Sequence, residues 1–286
     1  MNGTEQALSV ECRGESLLGV LHLPITPRDL GVIVVVGGPQ YRAGSHRQFV
    51  LLARALADAG HAVLRLDVRG MGDSTGAPRD FESTGADLGA AIDALLANVP
   101  GLQRVALWGL CDGASAALLY LCERSDPRVA GLCLLNPWVR SATSLAKTQV
   151  KHYYRQRLMD RAFWSKLVSG RVALGAVSGF ARALGRTLVR QAPAEGGKAS
   201  YQQRMLAALV AFAGPVLLLL SEQDYTAREF EEYTAADAAW RAALATGRCE
   251  RVALAGADHT CSQAAARLAA ERATVAWLAR HSSVMP

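Results

Sequence analysis

Short apolar runs alternate along this chain with longer stretches whose apolar residues recur at three- and four-residue steps. The first pattern predicts strands buried on both faces, and the second predicts amphipathic helices packed over them. Residues 8–10 and 17–21 flank the polar turn Arg13-Gly14-Glu15 and predict an opening hairpin. The runs 31–36, 62–66, 105–108, 129–135, 216–220 and 251–254 predict the remaining strands. Phe49, Leu52, Ala53 and Leu56 share one helical face, and further helices are expected over 87–97, 114–120 and 261–280. Strands and helices in alternation predict an α/β fold, an eight-stranded and mostly parallel sheet with helices on both faces.

Chemistry concentrates at the ends of three of these strands. Gly109-Leu110-Cys111-Asp112-Gly113 joins a strand to a small-residue helix. Strand, G-x-nucleophile-x-G, helix is a nucleophile elbow, in which flanking glycines let a sharp turn lift the central side chain clear of the backbone. A buried turn can carry the same five residues, so the partners matter. Ser221-Glu222-Gln223-Asp224 follows the next-to-last strand, and Ala255-Gly256-Ala257-Asp258-His259 follows the last. Nucleophile, acid and histidine in that chain order predict a Cys111, Asp224, His259 triad, with Glu222 as the rival acid. Cys111 opens a helix and faces an imidazole, which favours a thiolate–imidazolium pair.

A tetrahedral intermediate needs two backbone N–H donors. Asp112, directly after the nucleophile, is expected to give one. The other is expected from Gly37-Gly38-Pro39-Gln40 after the third strand, with Gly38 preferred because Pro39 has no N–H, and Gln40 next. Gln40 and His46 are candidate substrate contacts. His22 and His61 lie beside strands and are expected to be structural, His152 to be solvated, and the turn 67–74 to be structural as well. No metal-ligand spacing, phosphate loop or dinucleotide fingerprint occurs, so neither metal nor cofactor is expected.

Between 138 and 213 no strand pattern appears, only helical stretches broken by a Gly- and Pro-containing segment at 191–198. At 286 residues the chain suits one domain with an insertion. Residues 1–137 and 214–286 are expected to form the core, and 138–213 a helical lid inserted after the sixth strand. The net charge of +6 resides in that insertion, where Asp160 and Glu195 alone oppose the basic residues from Arg140 to Arg204. Lys147, Lys151 and Arg155 form one basic stripe; Arg182, Arg186 and Arg190 form another, opposite Val177, Phe180, Leu184 and Leu188. Such stripes suit simple solvation or docking of an anionic partner, an acidic acyl carrier protein or coenzyme A. No nucleic-acid motif accompanies them, so no nucleic-acid partner is expected. There is no apolar stretch of the roughly eighteen residues a spanning helix needs, and residues 1–6 lack the pattern of a secretory signal. The six cysteines show no disulfide framework. Reduced thiols in the cytoplasm are expected, with Cys122 and Cys133 buried.

With these residues in place, the chain resembles the α/β-hydrolase superfamily along nearly its whole length. Its Cys elbow is similar to those of dienelactone hydrolases and polyester synthases. A closer resemblance is to the hydrolase 1 family associated with the exosortase A (PEP-CTERM) system of Gram-negative bacteria. Gly37-Gly38-Pro39-Gln40-Tyr41-Arg42, Gly44-Ser45-His46-Arg47, Trp108-Gly109-Leu110-Cys111-Asp112 and Leu135-Asn136-Pro137-Trp138-Val139-Arg140 carry it. The resemblance implies a cytoplasmic hydrolase encoded near exopolysaccharide and protein-sorting genes, beside a second hydrolase and acyl-carrier-type partners. The expected activity is hydrolysis of an ester or thioester on a small molecule or a carrier. Acyl transfer to an acceptor and a non-catalytic interaction module are the alternatives.

Overall fold

A computed structural model of the chain describes residues 3–38, 40–140 and 199–284. Strands β1 (Thr4–Cys12) and β2 (Glu15–Leu23) form the opening hairpin, turning at Arg13 and Gly14, both at positive φ. Two consecutive positive-φ residues give a turn whose twist matches that of the paired strands. There follow β3 (Leu30–Val35), α1 (Gln48–Asp58), β4 (Val63–Leu66), α2 (Gly85–Asn98), β5 (Arg104–Leu110), α3 (Asp112–Arg124) and β6 (Val129–Leu135). After the insertion come α4 (Tyr201–Ala211), β7 (Val216–Ser221), α5 (Tyr225–Ala236), α6 (Ala238–Leu244), β8 (Cys249–Leu254) and α7 (Ala264–His281).

The eight strands lie in the order β1-β2-β4-β3-β5-β6-β7-β8. β1 and β2 are antiparallel to their neighbours, and every pairing from β4 to β8 is parallel. From β3 the chain steps outward to β4, then crosses back to lay β5 on the other side of β3. At such a reversal the loops leave neighbouring strand ends in opposite directions and open a crevice at their carboxyl ends. The glycine loop after β3 and the elbow after β5 meet there.

Alternate residues of each strand feed two apolar layers. Ile33, Leu64, Leu107 and Leu218 pack with α2, α3, α4, α5 and α6. Val32, Val34, Ala106, Trp108 and Leu217 pack with α1 and α7, where Trp277 is 1% exposed. Cys133 is buried as expected, but Cys122 is exposed because it falls on the outward face of α3. All six cysteines are free.

The turn after β4 is structural, as its glycine spacing suggests. Asp67 accepts from the Arg42 N–H at 2.5 Å, the Asp73 N–H at 3.1 Å and the Arg42 guanidinium. Arg69 grips the fully buried Asp87 through two bonds of 2.7 and 3.1 Å. His22 accepts from Arg65 at 2.9 Å, and burial holds its pKa down to about 4. His61 lies at 2.8 Å from the Leu30 carbonyl.

The chain divides into two units, Met1–Val139 with Ser200–Pro286, and Arg140–Ala199. The lid and its basic stripes, expected over 138–213, fall largely outside the described residues, as does His152. Residues 201–211, counted on sequence with the insertion, form α4 in the first unit and pack against α3. A capping box between Ser200 and Gln203 starts this helix, and Gln202 donates to the Val139 carbonyl at 3.3 Å.

Candidate active site

The elbow is built by close approach. A Cβ on Gly109 would stand 2.5 Å from the Ala114 nitrogen, and one on Gly113 would stand 2.4 Å from the Val35 oxygen. Glycine at both flanks lets β5, α3 and β3 meet so tightly. Between them Cys111 adopts φ 59°, ψ −125°, a conformation that costs free energy for an L-residue. Four backbone bonds hold it there. Its N–H donates to Leu135 at 2.9 Å, and its carbonyl accepts from Ala114, Ser115 and Trp138 at 3.1 to 3.2 Å.

Asp224 leaves β7 as the N-cap of α5. Its carboxylate accepts from the Thr226 and Ala227 N–H groups, both at 3.1 Å, and is 5% exposed. The same carboxylate lies 2.9 Å from Nδ1 of His259, in the loop after β8. Cys111 also acts on the ring, so the histidine relates the ends of three strands. Asp224 first, and Cys111 second, raise the imidazole from an ordinary 6.5 to about 10 against the opposing effect of burial. Both residues favour the protonated, imidazolium form of the ring. The rival acid, Glu222, turns away to accept from the Gly256 N–H at 3.0 Å. Asp258 likewise turns away, to Ser262.

Asn136 belongs to this frame, and on sequence it stood only within the Leu135–Arg140 block with no role of its own. Wholly buried at φ 48°, it accepts from the Ser221 N–H at 2.9 Å and donates to the Ser221 hydroxyl at 3.0 Å and to the His259 carbonyl at 3.3 Å. It thereby ties the ends of β6 and β7 to the histidine loop. An Asn directly after a buried strand and before a proline was the available signal.

The glycine loop differs from expectation in its partner. Gly38, expected to offer its N–H to an oxyanion, donates it at 2.8 Å to Oδ2 of Asp112. The Asp112 backbone sits at the first turn of α3, and its carboxylate folds back across Gly37. Oδ1 of that carboxylate is buried with no hydrogen-bond partner. Burial raises the Asp112 pKa, opposed by the N–H groups of Gly38, Gly113 and Asp112 itself and by the charge of His259. Gln40 likewise has a buried, unpartnered Oε1. His46 is exposed at φ 53°, close enough for its charge to act on Asp258. Beside the elbow a recess of about 280 Å³ is lined by Val36, Gly38, Val68, Met71, Phe81 and Asp112, among others. Among the described residues no cluster of three His, Cys, Asp or Glu could hold a metal, and no helix is long and apolar enough to cross a membrane.

A family model described as Serine aminopeptidase, S33 matches residues 29–239. Human ABHD12B is 36% identical over 110 residues, which is 37% of this chain and 29% of that protein. The chain thus matches less than a third of that relative's length. The ferulic acid-bound Est1E of Butyrivibrio proteoclasticus superposes with a TM-score of 0.61 at 17% identity, over 96% of this chain and 99% of that one. The Pyrococcus furiosus esterase Pf2001 gives 0.65 at 16% identity, over 97% and 91%. The esterase domain of a Rhodothermus marinus protein gives 0.60 at 21%, over 97% and 99%. These likenesses establish a common fold. The family's description names a serine, whereas the elbow here holds Cys111.

Proposed function

We propose that this chain, which belongs to the serine aminopeptidase S33 family of α/β-hydrolases, cleaves an ester or thioester through an acyl group carried on Cys111. One observation supports this most: the His259 ring lies 2.9 Å from the Asp224 carboxylate, and Asp224 and Cys111 both raise its pKa, which brings the ends of three strands to one imidazole. The thiolate of Cys111 attacks the substrate carbonyl, and the developing oxyanion is received by the backbone N–H groups of Asp112 and Gly38. His259, already protonated, gives its proton to the leaving oxygen or sulfur as the tetrahedral intermediate collapses. Acylation removes the interaction of the Cys111 side chain with the ring, which is the second cause of the raised His259 pKa. The ring then yields its proton more readily and serves as base for the water that attacks the thioester. Asp224, fixed by its two backbone bonds, holds the ring throughout.

The wider setting rests on sequence likeness. The blocks running from Gly37 to Arg47 and from Leu135 to Arg140 support an exosortase A-associated, cytoplasmic hydrolase. The basic charge between Arg140 and Arg204 supports an acidic acyl carrier or coenzyme A as acyl donor. Intact-mass spectrometry with short-chain acyl thioesters and activated esters, beside Cys111→Ala, tests the chemistry. A transient adduct absent from the variant is the expected result. Its decay in water identifies a hydrolase, and decay only with an added alcohol or amine identifies an acyltransferase. No adduct from any donor would leave the fold as an interaction module.

A further inference from the structure

The Gly38 N–H, expected as the second oxyanion donor, already has a partner within the protein. Gly38 directs its N–H at Oδ2 of Asp112, 2.8 Å away. Gly37 makes the arrangement possible, since a Cβ there would lie 2.0 Å from Oδ1 of the same carboxylate. The carboxylate thus lies over the glycine loop, beside the N–H groups where a substrate oxyanion is to be received. It is held there by one hydrogen bond, and its other oxygen is buried without a partner. A buried carboxylate oxygen with no donor in hydrogen-bonding geometry is costly. The nearby N–H groups of Gly113 and Asp112 act on this carboxylate without closing such a bond, so it is anchored less firmly than the Asp224 carboxylate. The adjoining recess of about 280 Å³, which Asp112 itself lines, leaves room for it elsewhere.

We infer that the Asp112 carboxylate gates the oxyanion hole, occupying the Gly38 N–H at rest and withdrawing into the recess when a substrate carbonyl enters. This rests on the reading of Cys111 as nucleophile. Asp112 thus has two separate duties. Its backbone N–H is a donor that any residue but proline would supply, while its side chain, acting through Gly38, controls the second donor. One oxyanion donor is typically worth about 10²–10³ in rate, and part of that is lost while two oxygens compete for the Gly38 N–H.

The test separates thiolate chemistry from oxyanion chemistry in the same protein. Iodoacetamide alkylates a thiolate by direct displacement and forms no oxyanion, whereas p-nitrophenyl acetate must form one. Both rates at Cys111 are followed by mass spectrometry for the wild type, Asp112→Ala and Asp112→Asn. The gate predicts that Asp112→Ala is acylated about ten- to a hundredfold faster than the wild type, while alkylation changes by less than about twofold. Asp112→Asn keeps an acceptor oxygen for Gly38 without the charge, so its acylation rate falls between the two. A side chain that merely supports the elbow would give variants slowed in both reactions. Acylation no faster than wild type in both variants overturns the gate. If instead the nucleophile assignment is at fault, the wild type itself takes no acyl group at Cys111, an outcome visible before any variant is made.

Discussion

The acid loop after β7 and the elbow after β5 each set a carboxylate against backbone N–H beside Cys111, and the two are held very differently. Asp224 has three bonds of 2.9 to 3.1 Å, to Thr226, Ala227 and His259. Asp112 has one at 2.8 Å, to Gly38, and leaves an oxygen without a partner. A group whose hydrogen-bonding capacity is filled has nowhere better to go, so it can orient another side chain. A half-filled group leaves its place for about 1.5–3 kcal/mol, the typical worth of one hydrogen bond to a charge. On this reading the Asp224 carboxylate stays in place and the Asp112 carboxylate is the one free to leave.

The largest effect expected from breaking this contrast is on turnover. Asp224→Ala frees the His259 ring to take the wrong tautomer and orientation, and hydrolysis of p-nitrophenyl acetate should fall about 10⁴-fold. A loss under about tenfold would mean the histidine is oriented by something else. Arg69→Ala tests a satisfied carboxylate that makes no bond to Cys111, Asp224 or His259. Asp87, left buried and unpaired, should cost about 3–5 kcal/mol in urea unfolding, with the rate per folded molecule unchanged.

A smaller effect follows from pH. The His259 pKa is higher in the folded protein, about 10 against an ordinary 6.5. The stability it contributes is complete below about 6.5 and is lost as pH rises through about 10. Melting temperatures should decline across that window, and Cys111→Ala should flatten the decline by removing one of its causes. The smallest effect is expected at Asp237, which caps α6 through Ala239 and Trp240 much as Asp224 caps α5, but holds no histidine. Asp237→Ala should cost about 1 kcal/mol in thermal unfolding and leave turnover untouched.

Much of this was legible in the sequence because it lies in strands and strand ends. Continuous apolar runs marked the buried parallel strands, and Gly109 with Gly113 marked the elbow, since no other residue tolerates those contacts. Helices α5 and α6 were missed because Ala, Glu and Arg dominate 225–244 and leave few large apolar residues to mark a buried face; the capping residues Asp224 and Asp237 were the signal available. Helix α4 was counted with the insertion because it follows the Gly- and Pro-containing segment 191–198 directly in sequence, and its packing on α3 is a tertiary fact. The back-folded Asp112 side chain had no signature at all. Motif spacing places the backbone of the residue after a nucleophile, but which N–H its side chain meets depends on how close a distant loop comes.

The account depends on where an acyl group lands. The most direct measurement is peptide mapping after a brief, acid-quenched reaction with p-nitrophenyl acetate, for the wild type and His259→Ala. The account predicts one acetylated site, Cys111, formed much more slowly in the variant. Acetylation at Cys261 or Ser115 instead, or at Cys111 with a rate indifferent to His259, would contradict it.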